Sequence, residues 1–260
     1  MKNLKRILAA ALVLCMLFCF VGCGTKDTAS STDSKKVLTM ATNAEFPPYE
    51  YHDGDAIVGI DAEIAAAIAE KLGMELEIAD VDFDSIIPGV QQGKYDMGMA
   101  GMTVTDERLQ KVAFSDSYAK GVQVVIVKEG GDIATLDDVN GKKVGVQQGT
   151  TGDIYASSSV EDGGYGEENV TKYANGALAV EALKTGKVDC VIIDNEPAKA
   201  YVAANEGLKI LDTEYANEDY AICFAKENTE LQTKVNNALK ELIADGTVKK
   251  IVDKYISADK

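Results

Sequence analysis

The sequence has no tryptophan, a single histidine and little positive charge: 26 lysines and arginines stand against 42 aspartates and glutamates, for a net charge of −16. An excess of acid on this scale repels nucleic acid phosphates and anionic lipid headgroups, which excludes both as partners for the folded surface. His52 lies beside Asp53-Gly54 and reads as a turn residue, so no Ser-His-Asp set can be assembled. Histidines and cysteines are not clustered at metal-ligand spacing, and there is no glycine-rich phosphate loop of the P-loop kind. Nothing nominates a general acid, a base, a nucleophile, a metal or a cofactor. Of the five cysteines, Cys15, Cys19 and Cys23 fall in the N-terminal segment. Cys190 and Cys223 each sit inside an apolar run and read as small buried hydrophobes, not as a disulfide or metal pair.

Long apolar runs are scarce too, and the longest opens the chain. Lys2, Lys5 and Arg6 precede an unbroken apolar stretch from Ile7 to Val21. At about 15 residues it is shorter than the roughly 20 that cross a bilayer as a helix. A basic start with a short apolar run is the pattern of a secretory signal peptide, here residues 1–22. The end of the run, Phe20-Val21-Gly22-Cys23, resembles a bacterial lipobox, with Phe20 where leucine is usual. Cleavage before Cys23 and lipidation of its sulfur are therefore expected; with an incidental Cys23 the leader is an ordinary one. At about 0.8 kcal/mol per buried methylene, two or more acyl chains give a stable anchor on the extracytoplasmic face of the cell membrane. Residues 23–36 are polar and aperiodic, and read as a flexible tether.

The remaining sequence, roughly 225 residues, fits one larger domain or two small ones. Strand-like and helix-like segments alternate along it, which implies α/β layers. Strands are expected at 37–41, 74–81, 97–101, 122–127, 142–146, 188–193, 208–212 and 220–225. Helices are expected from Asp61, as cap, to Lys71, and over 83–92, 177–184, 230–244 and 248–255. An internal repeat stands out: helix, Gly-Lys-x-Asp turn, apolar strand. It occurs at Ile86 to Asp96, with Gly93-Lys94-Tyr95-Asp96, and at Ala179 to Asp189, with Gly186-Lys187-Val188-Asp189. The two strands deliver Gly101 to Thr103 and Asp194 at their carboxyl ends, the edge where open α/β sheets gather ligands. Two similar lobes of this kind imply a cleft between them.

Three features near those strand ends suit a zwitterion. Arg108 can hold a carboxylate by two charge-assisted hydrogen bonds, each worth about 1.5–3 kcal/mol; it can equally be a surface arginine paired with Asp106 or Glu107. Gly149-Thr150-Thr151-Gly152, before a helix start, offers backbone N–H groups to an anion, or simply caps that helix. Asp194 follows four apolar residues, where an acid is unusual unless paired or at a wet rim; it can receive an ammonium group or cap a helix beginning near Pro197. Phe46, Tyr49 and Phe83 can form an aromatic wall or plain core.

The segment Ala41-Thr42-Asn43-Ala44-Glu45-Phe46-Pro47-Pro48-Tyr49-Glu50-Tyr51 resembles the opening of the polar amino acid-binding proteins, family 3 of the bacterial solute-binding proteins. Gly59-Ile60-Asp61, Phe83-Asp84-Ser85-Ile86-Ile87-Pro88 and Ala100-Gly101-Met102-Thr103-Val104-Thr105-Asp106-Glu107-Arg108 are similar to its next motifs. Phe114-Ser115-Asp116-Ser117-Tyr118, Val144 to Thr150 and Asp189 to Asp194 continue in order, so the likeness runs from about Val37 to Tyr255. The resemblance implies a two-lobed, periplasmic-binding-protein-like α/β fold of type II, with a ligand cleft between lobes joined by two crossover segments, near 118–122 and 216–220. It implies a first lobe from 37–118 and 221–260 and a second from 119–220. It implies that Arg108 clamps an α-carboxylate with the backbone N–H groups of Thr103 and Thr151. Asp194 binds the α-ammonium, the Gly101 carbonyl assists, and Phe46 and Phe83 sandwich the side chain. The implied partners are a polar amino acid, with a glutamine-like or other polar side chain favoured, and the permease of an ABC importer, with the binding protein itself a monomer. Asn43, where binders of cationic amino acids carry an acid, disfavours arginine and lysine; Glu45 argues the other way if it faces the pocket. Gln147 stands where some members place lysine, and Ile193 where some place a polar residue. Other readings of the same fold are a ligand-sensing receptor for a signalling partner and a small-molecule dehydratase.

Overall fold

The computed structural model describes residues 36–256; Cys23, the expected leader and all of the expected tether but Lys36 lie outside them. Two separate sheets form the two lobes. In the first, Val37–Thr42 runs parallel to Glu75–Asp80 on one side and to Met97–Gly98 on the other. Cys223–Phe224 then pairs antiparallel with Met97–Gly98 and with Ala113–Phe114. The second sheet has the order Val170–Tyr173, Val144–Gln147, Cys190–Asp194, Ala119–Lys128 and Leu208–Ile210, with Ala216–Tyr220 paired to the first half of Ala119–Lys128. A small sheet of Glu45–Phe46, Glu50–Asp53 and Ala56–Val58 leads into the Ile60–Leu72 helix. No helix among the described residues is long and apolar enough to cross a membrane.

Both faces of the second sheet are covered, which explains why its strands are continuous apolar runs and do not alternate. Val124, Ile126, Val191 and Ile193 join a core with Ala179 and Leu183 of the Gly176–Lys184 helix. Their neighbours Val125, Val127, Cys190 and Ile192 turn the other way, toward Ala156 of the Thr151–Ser157 helix. The first sheet is likewise sandwiched. Leu38 and Met40 meet Ile64 and Ile68 of the Ile60–Leu72 helix and Leu239 of the Thr229–Ala244 helix, whereas Ala41 packs with Ile86 and Val90 of the Phe83–Gln91 helix. Each fully buried valine, leucine, isoleucine or methionine among them contributes about 1.5–3 kcal/mol.

The internal repeat is real in three dimensions. The backbone N–H of Asp96 donates to the Thr39 carbonyl, and the Asp96 carboxylate takes the Thr39 N–H at 2.8 Å. In the second lobe Asp189 does the same with Lys143, at 2.7 Å and 2.8 Å. Each Gly-Lys-x-Asp turn thus locks the strand it introduces to that strand's parallel neighbour in its own sheet.

Several expected boundaries are corrected. Asp61 does not cap its helix: Gly59 does, at a φ of 124°, where a Cβ would lie 2.2 Å from the Tyr49 carbonyl oxygen. Asp61 is instead buried and accepts the Gly101 N–H at 2.9 Å and the Tyr118 hydroxyl at 2.8 Å. The expected strand over 97–101 pairs only at Met97–Gly98, because the chain turns at Gly101, φ 52°, to present that N–H to Asp61. The run 220–225 is two strands in two sheets, divided between Tyr220 and Cys223 as the chain passes from one lobe to the other. The Asp106–Lys111 helix and the Val170–Tyr173 strand are short or polar enough to have escaped the periodicity argument, and the helix offered near Pro197 spans Asn195–Ala204.

The two passages between the lobes pair with each other: Ala119 lies opposite Tyr220 and Gln123 opposite Ala216. Gly121 makes room in this ribbon for the fully buried Tyr220 ring, whose Cζ and hydroxyl would lie 2.3 Å from any Cβ at that position. Gly121→Ala is therefore expected to cost about 1–3 kcal/mol by overpacking, read as a lower midpoint of denaturant unfolding at unchanged slope.

Candidate functional site

A narrow, largely enclosed cavity lies between the lobes. Phe46, Phe83, Gly101, Thr103, Arg108, Thr151 and Asp194 all line it, with Asn43, Glu50, Ala100, Gln147 and Thr150 completing the wall. The first lobe contributes the loop and strand around 43–50, Phe83 at the start of its helix, and residues 100–108. The second contributes the strand end and helix start over 147–151 and, at the end of the Cys190–Asp194 strand, Asp194.

Arg108 is held in place by its own chain. The Thr105 hydroxyl accepts the Arg108 N–H at 3.2 Å, capping the Asp106–Lys111 helix and fixing Arg108 in its first turn. From there the guanidinium turns inward, with only 5 % of the residue exposed. Nη1 donates to the Thr103 carbonyl at 2.8 Å and Nη2 to the Gly149 carbonyl of the other lobe at 3.0 Å. The guanidinium carbon lies 5.4 Å from the Phe83 ring centre, within reach of a cation–π contact. The surface alternative does not hold, and Glu107 pairs with Lys111 at 2.7 Å instead. Burial draws the pKa of Arg108 below its ordinary value, opposed first by the nearby Glu218.

Acids dominate the surroundings. Asp194 occupies the N-cap position of the Asn195–Ala204 helix, yet its side chain makes no capping bond and accepts the Tyr220 hydroxyl. Glu218, on the return strand, accepts the Thr103 hydroxyl at 2.8 Å and the Gln123 amide at 3.1 Å. Burial, then Glu218, raises the Asp194 pKa well above the carboxylate range. Burial raises Asp61 to about 6 even though Gly101 and Tyr118 donate to it. Among the described residues no group of three or more His, Cys, Asp or Glu side chains is placed to hold a metal ion.

Direct bonds cross the cleft around the cavity. Gln147 donates to Asn43 at 2.8 Å, Gln148 to Asp84 at 2.6 Å, and the Tyr201 hydroxyl to the Glu45 carbonyl at 2.8 Å. The Glu45 side chain is exposed and is not part of the wall. Thr150 both lines the cavity and caps its helix by accepting the Asp153 N–H at 3.3 Å. Glu50 and Glu218 were not singled out from the sequence. Glu50 had a usable signal: it is an acid between Tyr49 and Tyr51 on a short strand, where an apolar residue would be the ordinary choice.

The bacterial extracellular solute-binding proteins, family 3, match residues 38–258. The chain belongs to that family. Among curated relatives, the arginine-binding extracellular protein ArtP of Bacillus subtilis is 33 % identical over 260 residues, covering 99 % of this chain and all of ArtP. Among solved structures, ArtJ of Geobacillus stearothermophilus, an arginine-, lysine-, histidine-binding protein, superposes with a TM-score of 0.80 at 34 % identity over 86 % of this chain and 97 % of its own. An ancestral arginine-binding protein bound to arginine gives 0.79 at 43 % identity, over 86 % of this chain and all of its own. The ancestral arginine-binding protein bound to glutamine gives 0.78 at 42 % identity, over 85 % and 98 %. These neighbours share the two-lobed α/β fold.

The raised carboxyl pKa values set a direction for stability. With Asp61 at about 6 folded and an ordinary value of 3.8, the folded protein holds more protons than the unfolded chain across that window. The contribution is therefore present at acidic pH and is lost as pH rises from about 4 through about 6. The melting temperature of the ligand-free protein is expected to fall over this range, and Asp61→Asn to flatten the fall by roughly 5 °C, as calorimetric melts at stepped pH would show.

Proposed function

We propose that this protein captures a polar L-amino acid outside the cytoplasmic membrane and delivers it to the permease of an ABC importer by closing its lobes. The observation that carries the reading is that a buried arginine and a buried aspartate from opposite lobes line one cavity between them. Arg108 takes the α-carboxylate with the donors beyond its two carbonyl bonds, assisted by the backbone at Thr103 and Thr151. Asp194 takes the α-ammonium together with the Gly101 carbonyl, and Phe46 and Phe83 flank the side chain. The relatives' own ligands support an amino acid, arginine in several and glutamine in one complex. The protein works as a monomer without cofactor, tethered by lipidated Cys23, and binds rather than transforms its ligand.

Closure follows from differential affinity. A ligand that touches Arg108 on one lobe and Asp194 on the other binds the closed form better than the open one, and shifts the equilibrium by that difference. The closed shape is what the permease recognises, with the paired crossover strands as the hinge.

Arg108→Ala is expected to weaken binding at least 100-fold, since two charge-assisted hydrogen bonds at about 1.5–3 kcal/mol each are lost. Calorimetric titration of ligand-stripped protein against the common amino acids and ornithine reads this directly. Retained micromolar affinity in a cooperatively folded Arg108→Ala protein would sink the assignment.

A further inference from the structure

The return passage between the lobes carries a buried acid that the binding scheme above leaves unused. Along the Ala216–Tyr220 strand Asn217 and Asp219 face solvent, and Asp219 pairs outward with Lys120 at 2.8 Å. By the two-residue period of a strand, Glu218 and Tyr220 face inward, and both are buried. Tyr220 donates its hydroxyl to Asp194, at the ammonium end of the proposed site. Glu218 turns to the carboxylate end, yet it does not line the cavity itself.

One oxygen of Glu218, Oε2, accepts from both lobes at once. The Thr103 hydroxyl of the first lobe reaches it at 2.8 Å and the Gln123 amide of the second at 3.1 Å. Gln123 stands on the outgoing passage, opposite Ala216, and its amide nitrogen also donates to the Thr151 hydroxyl at 3.3 Å. Thr103, Gln123, Thr151 and Glu218 are each no more than 5 % exposed. The backbone adds to the grip. The Val104 N–H donates to the Asp219 carbonyl at 3.1 Å and the Ala221 N–H to the Met102 carbonyl at 3.0 Å, so residues 102–104 ride on the return passage.

The simplest alternative is that Glu218 is a counter-ion for Arg108, and its charge does oppose the fall in the Arg108 pKa. Arg108, however, directs its donors at the Thr103 and Gly149 carbonyls, and the direct partners of Glu218 are a hydroxyl and an amide. A buried carboxylate held by uncharged donors fixes those donors in place. The two it reaches belong to, or adjoin, the residues whose backbone N–H groups assist Arg108.

We propose that Glu218 is a positioning residue of the ligand site: through one oxygen it registers Thr103 of the first lobe against Gln123 and Thr151 of the second, so that their backbone donors converge on one ligand carboxylate. The assignment rests on the amino acid-binding reading above and deepens it. Glu218 touches no ligand and acts through Thr103 and Gln123.

An amide at position 218 keeps an acceptor oxygen for both donors, whereas a methyl group keeps none. The test is calorimetric titration of ligand-stripped wild type, Glu218→Gln, Glu218→Ala, Thr103→Val and the double variant Thr103→Val/Glu218→Ala. The probe is whichever of L-arginine and L-glutamine binds wild type more tightly. Glu218→Ala is expected to weaken binding at least tenfold, Thr103→Val at least fivefold and Glu218→Gln less than threefold. The double variant should lie within threefold of Glu218→Ala, because the Thr103 hydroxyl then has no partner left to lose. Affinity within threefold of wild type in folded Glu218→Ala overturns the assignment, as do equal losses in Glu218→Gln and Glu218→Ala or fully additive losses in the double variant. If Glu218→Ala does not fold, the milder variants decide: wild-type affinity in Thr103→Val, or a tenfold loss in Glu218→Gln, overturns it. Each of these results leaves the amino acid receptor standing, whereas silence of wild type toward every common amino acid brings down both.

Discussion

A buried guanidinium bridges the two halves of this protein. Arg108 donates to the Thr103 carbonyl of one lobe and to the Gly149 carbonyl of the other. Carbonyl dipoles orient a buried cation without neutralising it, so its charge stays available to an incoming anion. Around it stand Glu50, Asp61, Asp194 and Glu218, all buried. Removing one partner of such an arrangement leaves uncompensated buried charge, a larger penalty than the loss of any one hydrogen bond. The aromatic wall, the tyrosines that donate to Asp61 and Asp194, and the capped turn that aims Arg108 all serve to keep those charges dry and in register.

Much of this was legible in the residues, for identifiable reasons. The layered α/β plan shows in uninterrupted apolar strands between helical segments, and the paired lobes in the repeated Gly-Lys-x-Asp turn. Arg108 and Asp194 were visible because each breaks a local pattern, one after a strand end and the other after four apolar residues. Asp61 was misjudged because an acid after a glycine at a helix start ordinarily caps; only the tertiary approach of Gly101 and Tyr118 makes it a buried acceptor. Glu218 was hidden in a polar strand, where burial is set by what packs on it from a distant part of the chain, and Glu50, despite its tyrosine neighbours, sits on a strand too short for periodicity to place its face. Arg108 itself left two readings open, since its partners are backbone carbonyls that no side-chain pattern encodes.

The closed cleft is held by few direct contacts. Beside the Arg108–Gly149 bond, worth about 1.5–3 kcal/mol, the Asn43–Gln147, Asp84–Gln148 and Glu45–Tyr201 bonds are each worth about 0.5–1.5 kcal/mol net. A sum of that size is comparable with what one small bridging molecule can add, which is the condition for a ligand to tip the balance between lobe positions. Stronger mutual contacts would hold the cleft shut whether or not anything lay inside it.

The order in which the chain visits the lobes has a consequence for its synthesis. The first sheet opens with Val37–Thr42 but is not complete until Cys223–Phe224 joins it, and the Ile60–Leu72 helix waits for the Thr229–Ala244 helix, to which the Lys71–Glu241 ion pair fastens it. The strands and helices of the second lobe, by contrast, form one continuous stretch. A growing polypeptide can therefore finish the middle of the molecule while its beginning still exposes apolar surface. The half made first is the half completed last, and it carries Arg108, so a chain that stops short of its final helices has no competent cleft.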